Sequence, residues 1–410
     1  MILEKVRCWA EDTLTKKEIK DKLLLATDST GMTVWHFAAE RGNIVILEKV
    51  RDWAEDTLTK EEIKDKLLLA TYKCGSTVWQ WAAMNGHVDV LQKIWELAEE
   101  NLTKEERKKK LLLATDSSGR TACHVAAERG NIAILEKVWD WAEKNLTKEE
   151  KKDKLLLATD KWGSTVLHVA TEQGNIAILE KQLEWAEENL TKVEIKNKFL
   201  LATDSSGRTA WHVAAKRGNM AILEKLWDWA KKNLAKDEKK DKLLLAADKW
   251  GSTVLHVATE QGNIAILDKQ LEWVEENLTK VEIKNKLLLA TDSSEKTAWH
   301  VAAERGNIAI LEKVWDWAKK NLTKEEIKDK LLLTIDKRGS TVWHVAAQRG
   351  NVAISEKLLA WAEEILTKEE INNNLSLTAE FMGKTECKMA TKEPKLFSEH
   401  YAPKPANLVC

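Results

Sequence analysis

Charged residues make up 32% of this 410-residue chain, yet Lys plus Arg (65) and Asp plus Glu (66) leave a formal net charge of −1. That balance excludes nucleic-acid or membrane-surface binding driven by net charge, and no stretch approaches the roughly 18 apolar residues that span a bilayer. Cys8, Cys74, Cys123, Cys387 and Cys410 are odd in number and form no regular ladder, which reads as reduced thiols rather than a disulfide framework.

All 16 glycines fall on two positions of a 44-residue repeat. One set lies in a turn: Gly31, Gly75, Gly119, Gly163, Gly207, Gly251, Gly339 and Gly383, with Glu295 in the missing rung. The other follows a short helical stretch: Gly42, Gly86, Gly130, Gly174, Gly218, Gly262, Gly306 and Gly350. Glycine recurs where a backbone takes positive φ or passes close to a neighbour, so the same geometry is rebuilt at each period. A fixed period of this size marks a solenoid.

In chain order, residues 1–26 read as a partial repeat, because Met1 aligns with Val45 inside a second helix. Ile2, Val6 and Trp9 are apolar positions that lack a preceding neighbour, which suits a fragment or truncated product. The opening MILEKVRCWAEDTLTKKE has no basic stretch before an apolar core, so no signal peptide is visible. The expected compartment is the cytoplasm, or the nucleus, rather than the secretory route.

Residues 27–378 hold eight tandem units, of which Thr115–Ala158 serves as the example. Asp116-Ser117-Ser118-Gly119-Arg120-Thr121 is a turn, with Asp and Ser early and glycine in the strained place. Ala122 to Arg129 reads as a short helix stopped by Gly130, and Ala126 and Ala127 let neighbouring helices approach closely. Asn131 caps a second helix whose Ile132, Ile134, Leu135, Val138, Trp139 and Ala142 keep a 3.6-residue period. Thr147-Lys148-Glu149-Glu150 is a capping box opening a third helix, which closes on Leu155-Leu156-Leu157. The box recurs at Thr15, Thr59, Thr103, Thr191, Thr279, Thr323 and Thr367 and fails at Ala235. Asn-Leu-Thr sequons begin at Asn101, Asn145, Asn189, Asn277 and Asn321, but their threonines are accounted for as these caps.

This pattern resembles the ankyrin repeat. The residues that carry the resemblance are Asp-x-x-Gly-x-Thr, x-x-His-x-Ala-Ala and x-x-Gly-Asn, as in DSSGRTAWHVAAKRGN from Asp204 to Asn219. Ankyrin repeats usually run about 33 residues with proline after the threonine. Here Val or Ala stands there, and about eleven extra residues lengthen the second helix and add the third. The resemblance implies an all-α, ankyrin-like helical solenoid of about three helices plus a finger turn per 44-residue repeat.

Residues 162–205 and 250–293 are nearly identical, and the intervening repeats are closely alike, so an alternating pair of repeats is the duplicated unit. At the far end, 379–392 reads as a degenerate C-terminal capping repeat. Gly383, Thr385 and Ala390 keep the register there, while Lys388 replaces His and Glu386 enters an apolar slot. Residues 393–410 hold Pro394, Pro403 and Pro405 and read as a mobile tail.

The histidines His36, His124, His168, His212, His256, His300 and His344 form a ladder, with Gln80 in the eighth slot. Helices pack about 8–10 Å apart, while zinc needs nitrogens about 2 Å from one ion, so neighbouring rungs do not share a metal. The resemblance implies hydrogen bonds between turns instead, which an amide can also make. Most of the 20 tryptophans alternate with Leu or Cys at helical apolar positions and read as core. Trp162 and Trp250 stand in finger turns and read either as interface anchors or as packing on the next finger. The basic runs 107–110 and 239–242 have acidic neighbours and read as solvated faces. No repeated nucleophile–histidine arrangement, phosphate-binding glycine loop or paired-cysteine motif is present, so neither catalysis, cofactor nor metal is expected.

The expected function is a non-catalytic scaffold that binds other proteins, with neither nucleic acid nor membrane insertion. By the resemblance, contacts fall on the fingers at Lys161, Trp162, Ser164, Lys249, Trp250, Ser252, Arg120, Arg208, Lys296 and Arg338. They continue on the helices at Glu128, Arg129, Lys216, Arg217, Glu304 and Arg305. The alternatives are a structural spacer or spring, a fragment of a longer multi-domain protein, or a secreted effector-like array.

Overall fold

In the computed structural model, residues 2–71 and 75–372 are described. They form two compact helical units, one from Met1 to Ser205 and one beginning at Ser206. Among the described residues there is no strand beyond isolated bridges at the finger bases, such as Thr159 with Thr165. The C-terminal positions read above as a cap (Gly383, Thr385, Glu386, Lys388, Ala390) and the proline tail lie outside the described residues.

The first unit opens with Ile2–Thr13 and a short third helix from Lys16. Its full repeats stack first helices Val34–Glu40, Val78–Asn85, Ala122–Arg129 and Val166–Gln173. Second helices Ile44–Thr57, Val88–Asn101, Ile132–Asn145 and Ile176–Asn189 lie behind them. The second unit repeats this with first helices Ala210–Arg217, Val254–Gln261, Ala298–Arg305 and Val342–Gln348. Its second helices are Met220–Asn233, Ile264–Asn277, Ile308–Asn321 and Val352–Ile365.

The third helix departs from the sequence reading. It is α-helical for only its capped first turn, Lys148–Lys151 in the example, and then widens into a π-helical turn, Lys152–Leu156. The Leu157 N–H accordingly bonds the Lys152 carbonyl, five residues back, at 2.9 Å, and the same bond recurs from Leu69 to Lys64 at 3.0 Å. The apolar spacing explains the change. Ile63, Leu67 and Leu68 are all buried; they stand four and five residues apart, which a widened turn brings to one face. π turns are frequently found at functional sites; here the turn serves packing in successive repeats.

The capping threonines behave as read: Thr147 Oγ1 accepts from the Glu150 N–H at 3.3 Å, and Glu150 accepts from the Thr147 N–H at 3.0 Å. At Ala235 only the glutamate half survives, with the Ala235 N–H on Glu238 at 3.1 Å. The sequon amides are occupied too. Asn145 Nδ2 donates to the Trp141 carbonyl at 2.8 Å and Asn189 Nδ2 to Trp185 at 2.9 Å, closing the second helix.

Tryptophan joins one repeat to the next. Trp141 of one second helix lies 4.7 Å from Trp95 and 5.2 Å from Trp79 of the repeat before. In the second unit Trp273 meets Trp227 and Trp211 at 4.9 and 5.3 Å, and Trp361 meets Trp315 and Trp299 at 4.9 and 5.6 Å. Each such pair adds roughly 0.5–1.5 kcal/mol beyond area burial. Trp9 holds the corresponding place in the first helix and is 57% exposed, since no repeat precedes it among the described residues.

The duplicated repeats at 162–205 and 250–293 carry leucine where others have the first two tryptophans, and a buried glutamine, Gln182 or Gln270, in the second helix. Both amide atoms of Gln270 lack a partner among the described residues, and a cavity of about 10 Å³ lies beside it against Leu255, Leu271 and Trp317. Corresponding positions hold Leu226 and Val314. Gln270→Leu is therefore expected to raise stability by about 1–3 kcal/mol, the desolvation cost of unsatisfied polar groups. An unchanged or lower urea midpoint for the variant would show that the amide is satisfied.

Glu295 keeps the glycine turn at φ 59°, the one non-glycine residue with positive φ among the described residues. Its N–H still bonds the Asp292 carbonyl at 2.9 Å. A side chain in this region costs roughly 1–2 kcal/mol, of which glycine's greater unfolded freedom returns part. Glu295→Gly should therefore gain up to about 1 kcal/mol, read as a higher melting temperature; a lower one would contradict the strain argument.

Candidate protein-binding surface

The finger is a hydrogen-bonded turn organised by its aspartate. Asp116 Oδ1 accepts from the N–H groups of Ser118 at 2.8 Å and Arg120 at 2.9 Å, and the Gly119 N–H bonds the Asp116 carbonyl at 2.9 Å. Successive fingers are then joined main chain to main chain. Within the first unit, the Lys161 N–H donates to the Ser118 carbonyl at 2.9 Å and the Ser205 N–H to the Trp162 carbonyl at 2.7 Å. Within the second, Lys249 bonds Ser206 at 2.9 Å, Ser293 bonds Trp250 at 2.6 Å and Lys337 bonds Ser294 at 3.0 Å. A Cβ on Gly163 would stand 2.9 Å from the Ser205 nitrogen, so glycine serves the close approach as well as the positive φ.

Beneath the fingers the histidines are buried and locked. The Thr121 N–H donates to His124 Nδ1 at 3.3 Å, with the Thr121 hydroxyl on the same nitrogen at 2.9 Å. A backbone N–H only donates, so Nδ1 accepts and the proton sits on Nε2. Nε2 then donates to the Ser164 carbonyl of the next repeat at 3.2 Å. His256 does the same toward the Lys296 carbonyl at 3.0 Å, and His212 and His300 toward Ala246 and Thr334 at 3.2 and 3.3 Å. Gln80 reproduces the pattern with an amide: it accepts from the Thr77 N–H at 3.0 Å and donates to Ala114 at 3.4 Å. Burial holds His36, His124, His256 and His300 below the ordinary histidine range, which favours the neutral form that these hydrogen bonds require. Among the described residues no group of His, Cys, Asp or Glu is arranged to hold a metal.

The second glycine has a related constraint. The next repeat's asparagine caps its own second helix through Oδ1, as Asn307 does for Ile310 at 3.1 Å. Its amide nitrogen reaches back to the preceding helix end, Asn307 to the Gly262 carbonyl at 3.3 Å and Asn351 to Gly306 at 3.4 Å. The sequence reading saw only the cap. It also missed a ladder of ion pairs between third helices, in which the capping-box glutamate is held by a lysine one repeat earlier. Examples are Lys64–Glu106 at 2.7 Å, Lys152–Glu194 at 3.1 Å and Lys240–Glu282 at 2.6 Å. The signal was a Lys and a Glu 42 residues apart in successive repeats.

The candidate contact residues differ in exposure and in the ion pairs they make. Trp162 is 56% and Trp250 53% exposed, with Lys161 and Lys249 exposed beside them; Ser164 and Ser252 are half-buried. Arg129, Lys216, Arg217, Arg305 and Arg338 are exposed, and Arg208 is half-buried. Arg120 is tied to Asp116 and Glu128, each at 2.7 Å, and Lys296 to Glu304 at 2.6 Å. Glu304 also takes Arg349 at 2.9 Å, while Arg305 pairs with Glu260. Burial pushes the Glu304 carboxyl up, but Lys296 and Arg349 outweigh it and hold it below its usual range.

A family model of three ankyrin repeats matches residues 167–269, the stretch whose fingers, histidines and Gly-Asn turns are described above. Residues 167–269 are ankyrin repeats. The chain is also similar to the crystal structure of the ankyrin repeat domain of Bcl-3, titled a unique member of the IkappaB protein family. That match has a TM-score of 0.43 and 19% identity, and covers 69% of this chain and 100% of that one. No curated protein matches the sequence. The ankyrin fold is typically a non-catalytic module for protein–protein interaction. No helix among the described residues is long and apolar enough to cross a membrane.

The histidine ladder makes stability depend on pH. These side chains have a folded pKa below the unfolded value of 6.5, so the native state binds fewer protons and stability falls as pH drops below about 6.5. A second loss follows at lower pH. Lys64 and the Thr103 N–H hold the Glu106 carboxyl at about 2, as Lys240 and Thr279 do for Glu282, so their contribution fades from pH 4.5 downward. Urea midpoints are expected to decline from pH 7 to 5.5, before any carboxylate titrates. A flat profile over that interval would overturn the neutral-ladder assignment.

Proposed function

We propose that this ankyrin array binds other proteins on its finger tips and the exposed ends of its first helices, with Trp162 and Trp250 as anchors. The observation that carries this reading is the exposure of both indoles on fingers whose backbones are bonded to their neighbours. An exposed tryptophan on a prearranged backbone loses little entropy on binding, and burying it contributes strongly to affinity. Lys161 and Lys249 favour a partner that offers an acidic group beside an apolar one. Lys216, Arg217 and Arg338 are exposed in the second unit. Arg120, Lys296 and Glu304 serve it indirectly, since their ion pairs hold the fingers and helix ends in place.

The proposed setting is intracellular. Cys123 is a buried free thiol pushed up to about 12 by desolvation, and the sequon asparagines are bonded to their own helices. Affinity capture with the full chain identifies the partner, and the double variant Trp162→Ala with Trp250→Ala tests the site. The unfolding midpoint is expected to stay within error, since neither indole is buried. Affinity is expected to fall by about 30-fold or more, the effect of losing about 2 kcal/mol at a hot spot. Lost stability with unaltered binding would assign both residues to packing.

A further inference from the structure

The two exposed indoles stand in stretches of identical sequence. Residues 160–175 and 248–263 both read DKWGSTVLHVATEQGN, and no other finger turn carries tryptophan. Their fingers are built alike. The Trp162 N–H donates to Asp160 Oδ1 at 2.9 Å, and the Trp250 N–H to Asp248 Oδ1 at 2.9 Å. The main-chain bonds from Lys161 to Ser118 and from Ser205 to Trp162 hold the first finger on both sides. All of those residues belong to the first unit. The bonds from Lys249 to Ser206 and from Ser293 to Trp250 hold the second finger, and their residues all belong to the second unit. Each unit contains one complete tryptophan finger.

We propose that the chain takes two copies of one short acidic–apolar segment, one on each unit. This rests on the reading of Trp162 and Trp250 as anchors, and adds the number and the chemistry of what they hold. Lys161 and Lys249 are exposed, and neither has an ion pair among the described residues. Each finger therefore offers an ammonium, an indole N–H and a ring more than half exposed. A carboxylate on the segment takes the ammonium and the indole N–H, while a neighbouring Leu or aromatic side chain covers the ring. The same residues in the same bonded turn give both fingers the same preference. One kind of segment serves both.

Short peptides selected from a random display library on the full-length chain are the probe, titrated calorimetrically into wild type and variants. They are expected to place Asp or Glu beside Leu, Phe or Trp, and to bind wild type at two per chain. Trp162→Ala and Trp250→Ala are each expected to bind one peptide, with Kd within about twofold of wild type, as independent sites require. The double variant is expected to bind none. Melting temperatures within error of wild type keep lost binding apart from unfolding.

One peptide per wild-type chain, lost in either single variant, would overturn the two-site proposal and leave both indoles as anchors. Undiminished binding by the double variant would overturn the anchor reading and this proposal with it. Unchanged affinity in Lys161→Glu combined with Lys249→Glu would overturn the acidic character of the segment.

Discussion

A single imidazole in most repeats, and the Gln80 amide in one, holds the fold together at the place where it would otherwise come apart. Nδ1 accepts from the threonine that opens the first helix, and Nε2 gives its proton to a carbonyl of the following repeat. One neutral ring therefore satisfies an orphan helix donor and a loop acceptor that belong to different repeats. A charged ring would lose the acceptor and leave a desolvated cation, so the ladder depends on the low dielectric that burial provides. Gln80 shows that the requirement is one acceptor and one donor at that reach, not histidine chemistry.

The remaining inter-repeat contacts depend on the spacing this bond sets. The asparagine amide crosses to the preceding helix end, tryptophans of adjacent second helices lie face to face, and lysines of one third helix clasp the capping glutamate of the next. None of these is a large term alone. An exposed ion pair adds little, and an aromatic pair about 1 kcal/mol. Recurring at the repeat interfaces, they make stability a sum over nearest neighbours, which is how a repeat array holds together without one central core.

The candidate contact residues divide between ion pairing and exposure. Arginine, lysine and glutamate at several candidate contact positions are occupied by ion pairs and serve to hold fingers and helix ends in place. Trp162 and Trp250 are exposed. Side chains at the tips differ from repeat to repeat, while the turn beneath is made by aspartate, glycine and main-chain bonds.

Local rules were legible from the sequence. The Asp-x-x-Gly turn, the C′ glycine, the asparagine cap and the Thr-x-x-Glu box each close within a few residues, so their spacing determined the finger, the helix limits and the 44-residue period. The exposed place of Trp162 and Trp250 followed from the same turn. Tertiary structure decided whatever depends on a neighbour 40 or more residues away. The widening of the third helix is set by how Ile63, Leu67 and Leu68 reach the core, and the isolation of the Gln270 amide by the absence of a facing polar group. A pairing at shorter range was decided the same way: Arg120 is tied because Glu128, eight residues on, lands across the finger. A linear pattern records which residue types recur, while packing distance decides which of them meet.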